Sequence, residues 1–456
     1  MQILERSQKP GANGEIKFSL PEIQEFRLNN SLNVLFVQKD ELPIVRFNLI
    51  TNSGGKYDTA NKKGLANLFS RVLDEGAGKY NAIELSDEFD SLGTNFNINC
   101  FNDNIHISLQ TLAENLDKSL ELFATVLISP HLDKKSFDRE KRKVITALQQ
   151  LKDSPDEIAD IAFDHIVFGK NNPYAHPVIG YPDGLENIST EDISSFYKER
   201  LGPADSTLIV VGNINREILE EKLNNYFSDW KSNSSNPQLS FPSTSSGPNI
   251  YFVHKEGSVQ SEIRIGHIAE KRSKGNFFPK HMMNIILGGQ FSSRINLNLR
   301  EDKGYTYGAH SRFNYLKEAA QFIVSTSVGS ENTGNAINEI IRELDEIKKG
   351  IKKEELAFAK SSVTLRFPGN FETYGQIAGN LISLVLHSLP RNYFSTYLDS
   401  INNVNEEQIT RAAVENIHTD KLSVLVAGDK KLFLEQLEGL EISEIIELDI
   451  WGNPVL

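Results

Sequence analysis

"STLIVVGNINREILEEKL", residues 206–223, decides the fold. A run of aliphatic and β-branched side chains meets a glycine, and apolar residues then recur at helical spacing. The stretch reads as a buried strand, a turn and an amphipathic helix. The same order returns in "KLSVLVAGDKKLFLEQL", 421–437. A similar helix precedes each copy, "LENISTEDISSFYKERL" (185–201) and "INNVNEEQITRAAVENI" (401–417). Earlier still lies an alternating strand in each half, "IVRFNLITNSGG" (44–55) and "SEIRIGHIAE" (261–270). Matches in one order predict a duplicated α+β domain, each copy a mainly antiparallel sheet packed with helices. The Ser, Asn and Pro of "KSNSSNPQLSFPSTSSGP" mark a flexible linker at 231–248, between domains at 1–230 and 249–456.

Within the first half the pattern predicts strands over 23–55, helices near 62–76 and 80–92, strands over 94–112, then helices at 115–128 and 133–152. The second half repeats it, with a helix over 276–302, strands over 304–328, and helices at 333–349, 353–366 and 372–388.

The chain has 456 residues, too many for one core. Its 48 Lys and Arg against 61 Asp and Glu give a net charge of −13 and no basic patch, which argues against nucleic acid. The single cysteine, Cys100, excludes an internal disulfide and a cysteine-rich zinc site. No apolar run is long enough for a membrane span, and the first residues have no signal-peptide core. The sequence as written reads as cytoplasmic, or as periplasmic if a signal was removed.

Four stretches carry a resemblance: "GLANLFSRVLDEGA" (64–77), "FDREKRKVITAL" (137–148), "NNPYAHPVIGYPDGLENIS" (171–189) and "LGGQFSSRINLNLREDKGYTYGA" (287–309). On these the chain resembles the pitrilysin/insulinase superfamily of zinc metallopeptidases. It is most similar to the short two-domain branch of the mitochondrial processing peptidases and their bacterial relatives. Active members carry H-x-x-E-H on the first helix. Two imidazoles four apart share a helix face and bind one zinc, and the glutamate activates water. A later glutamate completes the set. Here the resemblance puts Asn67 and Arg71 at the histidine positions, Ser70 at the base and Ala147 at the last ligand, with the supporting Glu140 kept. An amide, a hydroxyl, a methyl and a permanent cation do not make a zinc site. Glu140, left without metal, is expected to pair with Arg71 or to leave Arg71 to solvent near Asp74 and Glu75. The other histidines show no paired ligand spacing.

The fourth stretch keeps what the first has lost. In the family an Arg ending a helix and a Tyr beginning a strand, here Arg300 and Tyr307, reach to the zinc site of the facing domain. The Arg forks onto peptide carbonyls and the Tyr hydroxyl stabilises the oxyanion. Gly304 between them suits a helix C-terminus, and Arg294 is a supporting candidate. On residue types alone Arg300 could cap its helix and either Tyr305 or Tyr307 could be structural. The resemblance implies a non-catalytic, substrate-binding subunit that binds no cofactor itself and works with a homologous zinc-bearing partner in a heterodimer that cuts peptides. It also implies peptide addition to the edge strand near Asn97, where Ile98 replaces a small residue. The alternatives are a scaffold subunit like the cores of the cytochrome bc complex, a stand-alone or homodimeric peptide binder, and a peptidase with other ligands.

Overall fold

The computed structural model describes residues 19–231, 237–242, 249–272, 276–436 and 445–455. Most of the predicted linker lies outside them. Its described middle, 237–242, is irregular but seated: Phe241 packs on Tyr174 at 4.9 Å between ring centroids, and Asn172 Nδ2 donates to the Pro242 carbonyl at 2.9 Å.

The first sheet holds β1 (Gln24–Arg27), β2 (Asn33–Gln38), β3 (Ile44–Ile50), β4 (Asn95–Cys100), β5 (Ile105–Leu112) and β6 (Thr207–Gly212), in the order β1-β2-β6-β3-β5-β4. The second holds β7 (Asn249–His254), β8 (Gln260–Ala269), β9 (Ala309–Tyr315), β10 (Ala320–Gly329), β11 (Ser423–Gly428) and β12 (Ile445–Leu448), in the order β9-β10-β8-β11-β7-β12. Five strands of each sheet superimpose in sequence order. The sixth does not: β1 runs antiparallel to β2, whereas β12 runs parallel to β7. The repeated strands of the opening stretch are β6 and β11, inside their sheets and buried along their length after the first residue of β6.

Burial on both faces needs cover on both sides. One face of the first sheet packs on its own helices, including Leu65–Val72, Leu116–Ile128 and Lys134–Gln150. The other is covered by a helix from the second half, Tyr374–Leu386, whose Ile377, Ala378 and Leu381 meet Leu35, Val37 and Val211. The exchange is reciprocal. Helix Pro155–Phe168 of the first half lays Ile158, Ala162 and Phe163 against Val253, Ile323 and Leu425 of the second sheet. Each Ile, Leu, Val and Phe among these contributes about 1.5–3 kcal/mol by leaving water, so each half stabilises the other. Polar contacts fix the exchange. Arg264, 2% exposed, forks onto Asp156 and Asp160 of that helix. Gln321 Nε2 donates to Asp164 at 2.7 Å.

The predicted helix 276–302 is broken. It runs Phe277–Leu287, stops at Gly288, and resumes as a short turn, Arg294–Asn296. Gly288 permits the break: a Cβ there would sit 2.4 Å from Ser311 Oγ and 2.6 Å from Ser311 N, because β9 passes against it. The first helix is also shorter than predicted, Leu65–Val72, closed by Gly76 with φ +108°.

Candidate functional site

Helix Leu65–Val72 is positioned by a residue outside the motif. Asp58, fully buried, accepts hydrogen bonds from Gly64 N at 2.7 Å and Ala66 N at 2.9 Å, satisfying the first turn. Gly64 precedes the helix with φ +98° and lies against Ile179 and Gly180. One turn on, Asn67 Oδ1 accepts from Arg71 Nε at 3.1 Å, and the buried Ser70 hydroxyl donates to the Asn67 carbonyl at 2.7 Å. The positions of two imidazoles and a base thus form a hydrogen-bonded strip that closes on itself. Ala147, on helix Lys134–Gln150, lines a cavity with Gln150, Leu151 and Ile179 and offers only a methyl group to it. Among the described residues no group of three His, Cys, Asp or Glu side chains is placed to hold a metal ion. Zinc does not fit these residues: the Asn67 amide oxygen accepts from the Arg71 guanidinium, and positions 67, 70 and 71 offer no imidazole, thiolate or carboxylate.

The expected pairing of Arg71 with Glu140 is not what the structure holds. Glu140 is buried, and its Oε1 takes Lys143 Nζ at 2.7 Å and Arg139 Nε at 3.3 Å. Lys143 lies three residues along the same helix, a spacing that brings side chains together, so the counter-charge is local. Asp74 completes the group: burial pushes its carboxyl up to about 6, and the Glu140 charge pushes the same way.

The second stretch is built differently. Arg300 sits on a π-helical turn, Leu297–Asp302, a form that is rare and concentrated at functional sites. The turn ends with Tyr305 N donating to Leu299 O at 2.8 Å and Gly304 at φ +69°, the left-handed residue expected there. The Arg300 guanidinium stacks on Phe291 at 4.3 Å, lies 3.6 Å from Glu301, and leaves a buried Nη1 without a hydrogen-bond partner. Tyr307 does not begin a strand. β9 starts at Ala309, and Tyr307 stands in the preceding loop, 94% exposed. The loop is pinned by Thr306, whose hydroxyl bonds the Ser327 carbonyl at 2.7 Å. Tyr305 and Tyr307 do not share an environment: Tyr305 packs half-buried on the second core. Arg294 braces the helix, forking onto both oxygens of Glu355 at 2.7 Å and bonding the Gly350 carbonyl. Burial alone would raise the Glu355 carboxyl; this fork, with the Lys352 N–H bond at 2.7 Å and the Lys352 charge, outweighs it and holds the group below its ordinary range.

The edge strand β4 presents Asn95, Asn97 and Asn99 outward, and turns Phe96, Ile98 and Cys100 toward the core. Ile98 therefore leaves the outer edge clear. At its end the turn to β5 meets the turn between β9 and β10 through Asp103, which accepts from Lys56 Nζ at 3.0 Å, Tyr174 Oη at 2.7 Å and Lys317 N at 2.8 Å.

A duplicated α+β chain of two like sheets, each covered by a helix from the other half, defines a class. Its sequence matches the insulinase (peptidase family M16) model over residues 33–179 and the peptidase M16 inactive domain model over 187–363. The chain belongs to the M16 peptidase family. Non-peptidase homolog YmxG of Helicobacter pylori is 22% identical over 402 residues, 87% of this chain and 92% of that protein. Zinc protease PqqE of the same organism is 24% identical over 377 residues, 81% and 84% of the two chains. The crystal structure of a peptidase M16 inactive domain from Pseudomonas fluorescens matches with a TM-score of 0.83 and 22% identity, over 90% of this chain and 98% of that one, and carries the fold. No described helix is long and apolar enough to cross a membrane.

Proposed function

We propose that this chain is the non-catalytic, substrate-binding subunit of a two-protein zinc metallopeptidase, paired with a homologous subunit that carries the H-x-x-E-H helix. The observation that carries the reading is Tyr307, held 94% exposed in the loop that follows the Arg300 turn. A structural tyrosine buries its ring; this one offers its hydroxyl to whatever docks on the loop. Arg300, whose side chain is 32% exposed, would turn its guanidinium onto peptide carbonyls, and Tyr307 would donate to the scissile carbonyl oxygen as charge develops there. Zinc, held by the partner, would supply the activated water. That Helicobacter pylori has both a relative named non-peptidase and one named zinc protease supports the pairing. A peptide would lie extended along a sheet edge, where main-chain bonds recognise any sequence.

The test is reconstitution with a homologous H-x-x-E-H protein from the same genome. The pair should cut an unfolded peptide, and Tyr307→Phe in this chain should lower kcat/KM about 10²-fold or more. Full activity with both Arg300→Ala and Tyr307→Phe would make the chain a scaffold instead.

A further inference from the structure

The stretch "NNPYAHPVIGYPDGLENIS" has no part in that reading, yet it walls a cavity of about 790 Å³. The other walls are residues near 56–63, linker residues Pro237 and Leu239, and C-terminal Trp451 and Asn453. His176 lines it, 5% exposed, with neither ring nitrogen hydrogen-bonded. Asp58 Oδ2 is 3.7 Å from Nε2, but that carboxylate is committed to Gly64 N and Ala66 N. His165 Nδ1, in the same wall, is also buried and unpartnered. Leaving such nitrogens dry and unpaired costs about 1–3 kcal/mol each.

Charge points to what would pair them. Lys63, Lys170 and Arg200 line the cavity, against Asp58 and a rim carboxylate, Asp183. Lys63 Nζ reaches only the Asp58 carbonyl, at 3.1 Å, and burial holds its amine below the usual range. Lys170 has no carboxylate within 4 Å among the described residues. Arg200 stacks on Tyr57 at 4.4 Å. In a protein of net charge −13, Lys63 and Lys170 line this cavity without a carboxylate within 4 Å among the described residues, although Asp449 acts on the far wall at His165 and Tyr181.

We propose that this cavity binds a small oxyanion-bearing ligand, held by a ring N–H of His176 and by the ammonium groups of Lys63 and Lys170. A carboxylate and a phosphate offer the same acceptor chemistry, from a peptide end or from a free anion. Because Asp58 touches both His176 and the first turn of helix Leu65–Val72, occupancy would be felt at the rebuilt zinc helix.

The experiment titrates the full chain, without partner, with inorganic phosphate, with a short peptide bearing a free C-terminal carboxylate, and with its amidated form. Chloride keeps ionic strength constant, and His176 ring signals are followed by NMR alongside titration calorimetry. Saturable one-to-one binding is expected for phosphate or for the free-acid peptide, and the amidated form reports which source is used. Lys170→Ala, an exposed change that leaves folding intact, should weaken it about fivefold, and His176→Gln about tenfold. No saturation by either probe, or an unchanged midpoint in both variants, overturns the site. Neither readout depends on peptide cleavage, so this inference and the proposed pairing fail separately.

Discussion

Helix Leu65–Val72 and the loop 300–307, which the proposed function traces to one composite site, differ in how their polar groups are satisfied. On the helix, every polar position finds a partner within its own turn: Arg71 with Asn67 Oδ1, Ser70 with the Asn67 carbonyl. On the loop, Tyr307 stands in solvent and Arg300 keeps a nitrogen unpaired. The difference teaches where function can persist after the metal is gone. A ligand set that loses its ion must rebuild its charges, because buried groups without partners are expensive. Under the proposed function Arg300 and Tyr307 would find their partners in a docking peptide.

That contrast can be attacked directly. The largest effect is expected at the open side: Arg300→Ala with Tyr307→Phe should cost the reconstituted pair about 10³-fold in kcat/KM while leaving the melting temperature of this chain unchanged. Both values unchanged would erase the distinction. The closed side should respond in stability only. Asp58→Ala strips two backbone N–H groups of their acceptor and should destabilise by about 2–3 kcal/mol in chemical denaturation.

A third variant probes the exchanged helices that hold the two regions in one body. Burial pushes the Asp164 carboxyl up to about 7, with Asp160 adding to it and Arg312 and Arg264 opposing. A carboxyl raised on folding binds its proton more tightly folded than unfolded. Its contribution is therefore present below the unfolded value near 4 and is lost as pH climbs toward 7. Asp164→Asn should leave stability near pH 4 unchanged and raise it by about 2 kcal/mol at pH 8. A constant difference across that range would contradict the assignment. The smallest effect belongs to Arg71→Ala: its bond to Asn67 is exposed, and the change should cost less than about 1 kcal/mol. A loss several times larger would mean that Arg71 neutralises a buried charge after all.

Much of this was legible in the sequence. The paired strand–glycine–helix stretches gave the two sheets and placed β6 and β11 inside them, because continuous apolar runs need burial on both faces. The missing zinc side chains and the left-handed Gly304 were readable residue by residue. What escaped had physical reasons. The break at Gly288 depends on how closely β9 passes, which no local pattern encodes. The reciprocal exchange of Pro155–Phe168 and Tyr374–Leu386 is long-range, and an amphipathic helix does not say whose sheet it covers. Of the two alternatives for Arg71, the structure takes the exposed one, and Glu140 is neutralised by Lys143 three residues on, a local pairing that the family resemblance does not point to. Asp58 sits six residues before Gly64, beyond the usual reach of a helix cap, so its role emerged only from the fold.

The most direct test is zinc content and peptide hydrolysis of the purified chain, alone and then mixed with its H-x-x-E-H counterpart. The account expects less than about 0.1 zinc per chain and no cleavage alone, with activity returning on mixing. Stoichiometric zinc together with hydrolysis in the partner-free sample would contradict it.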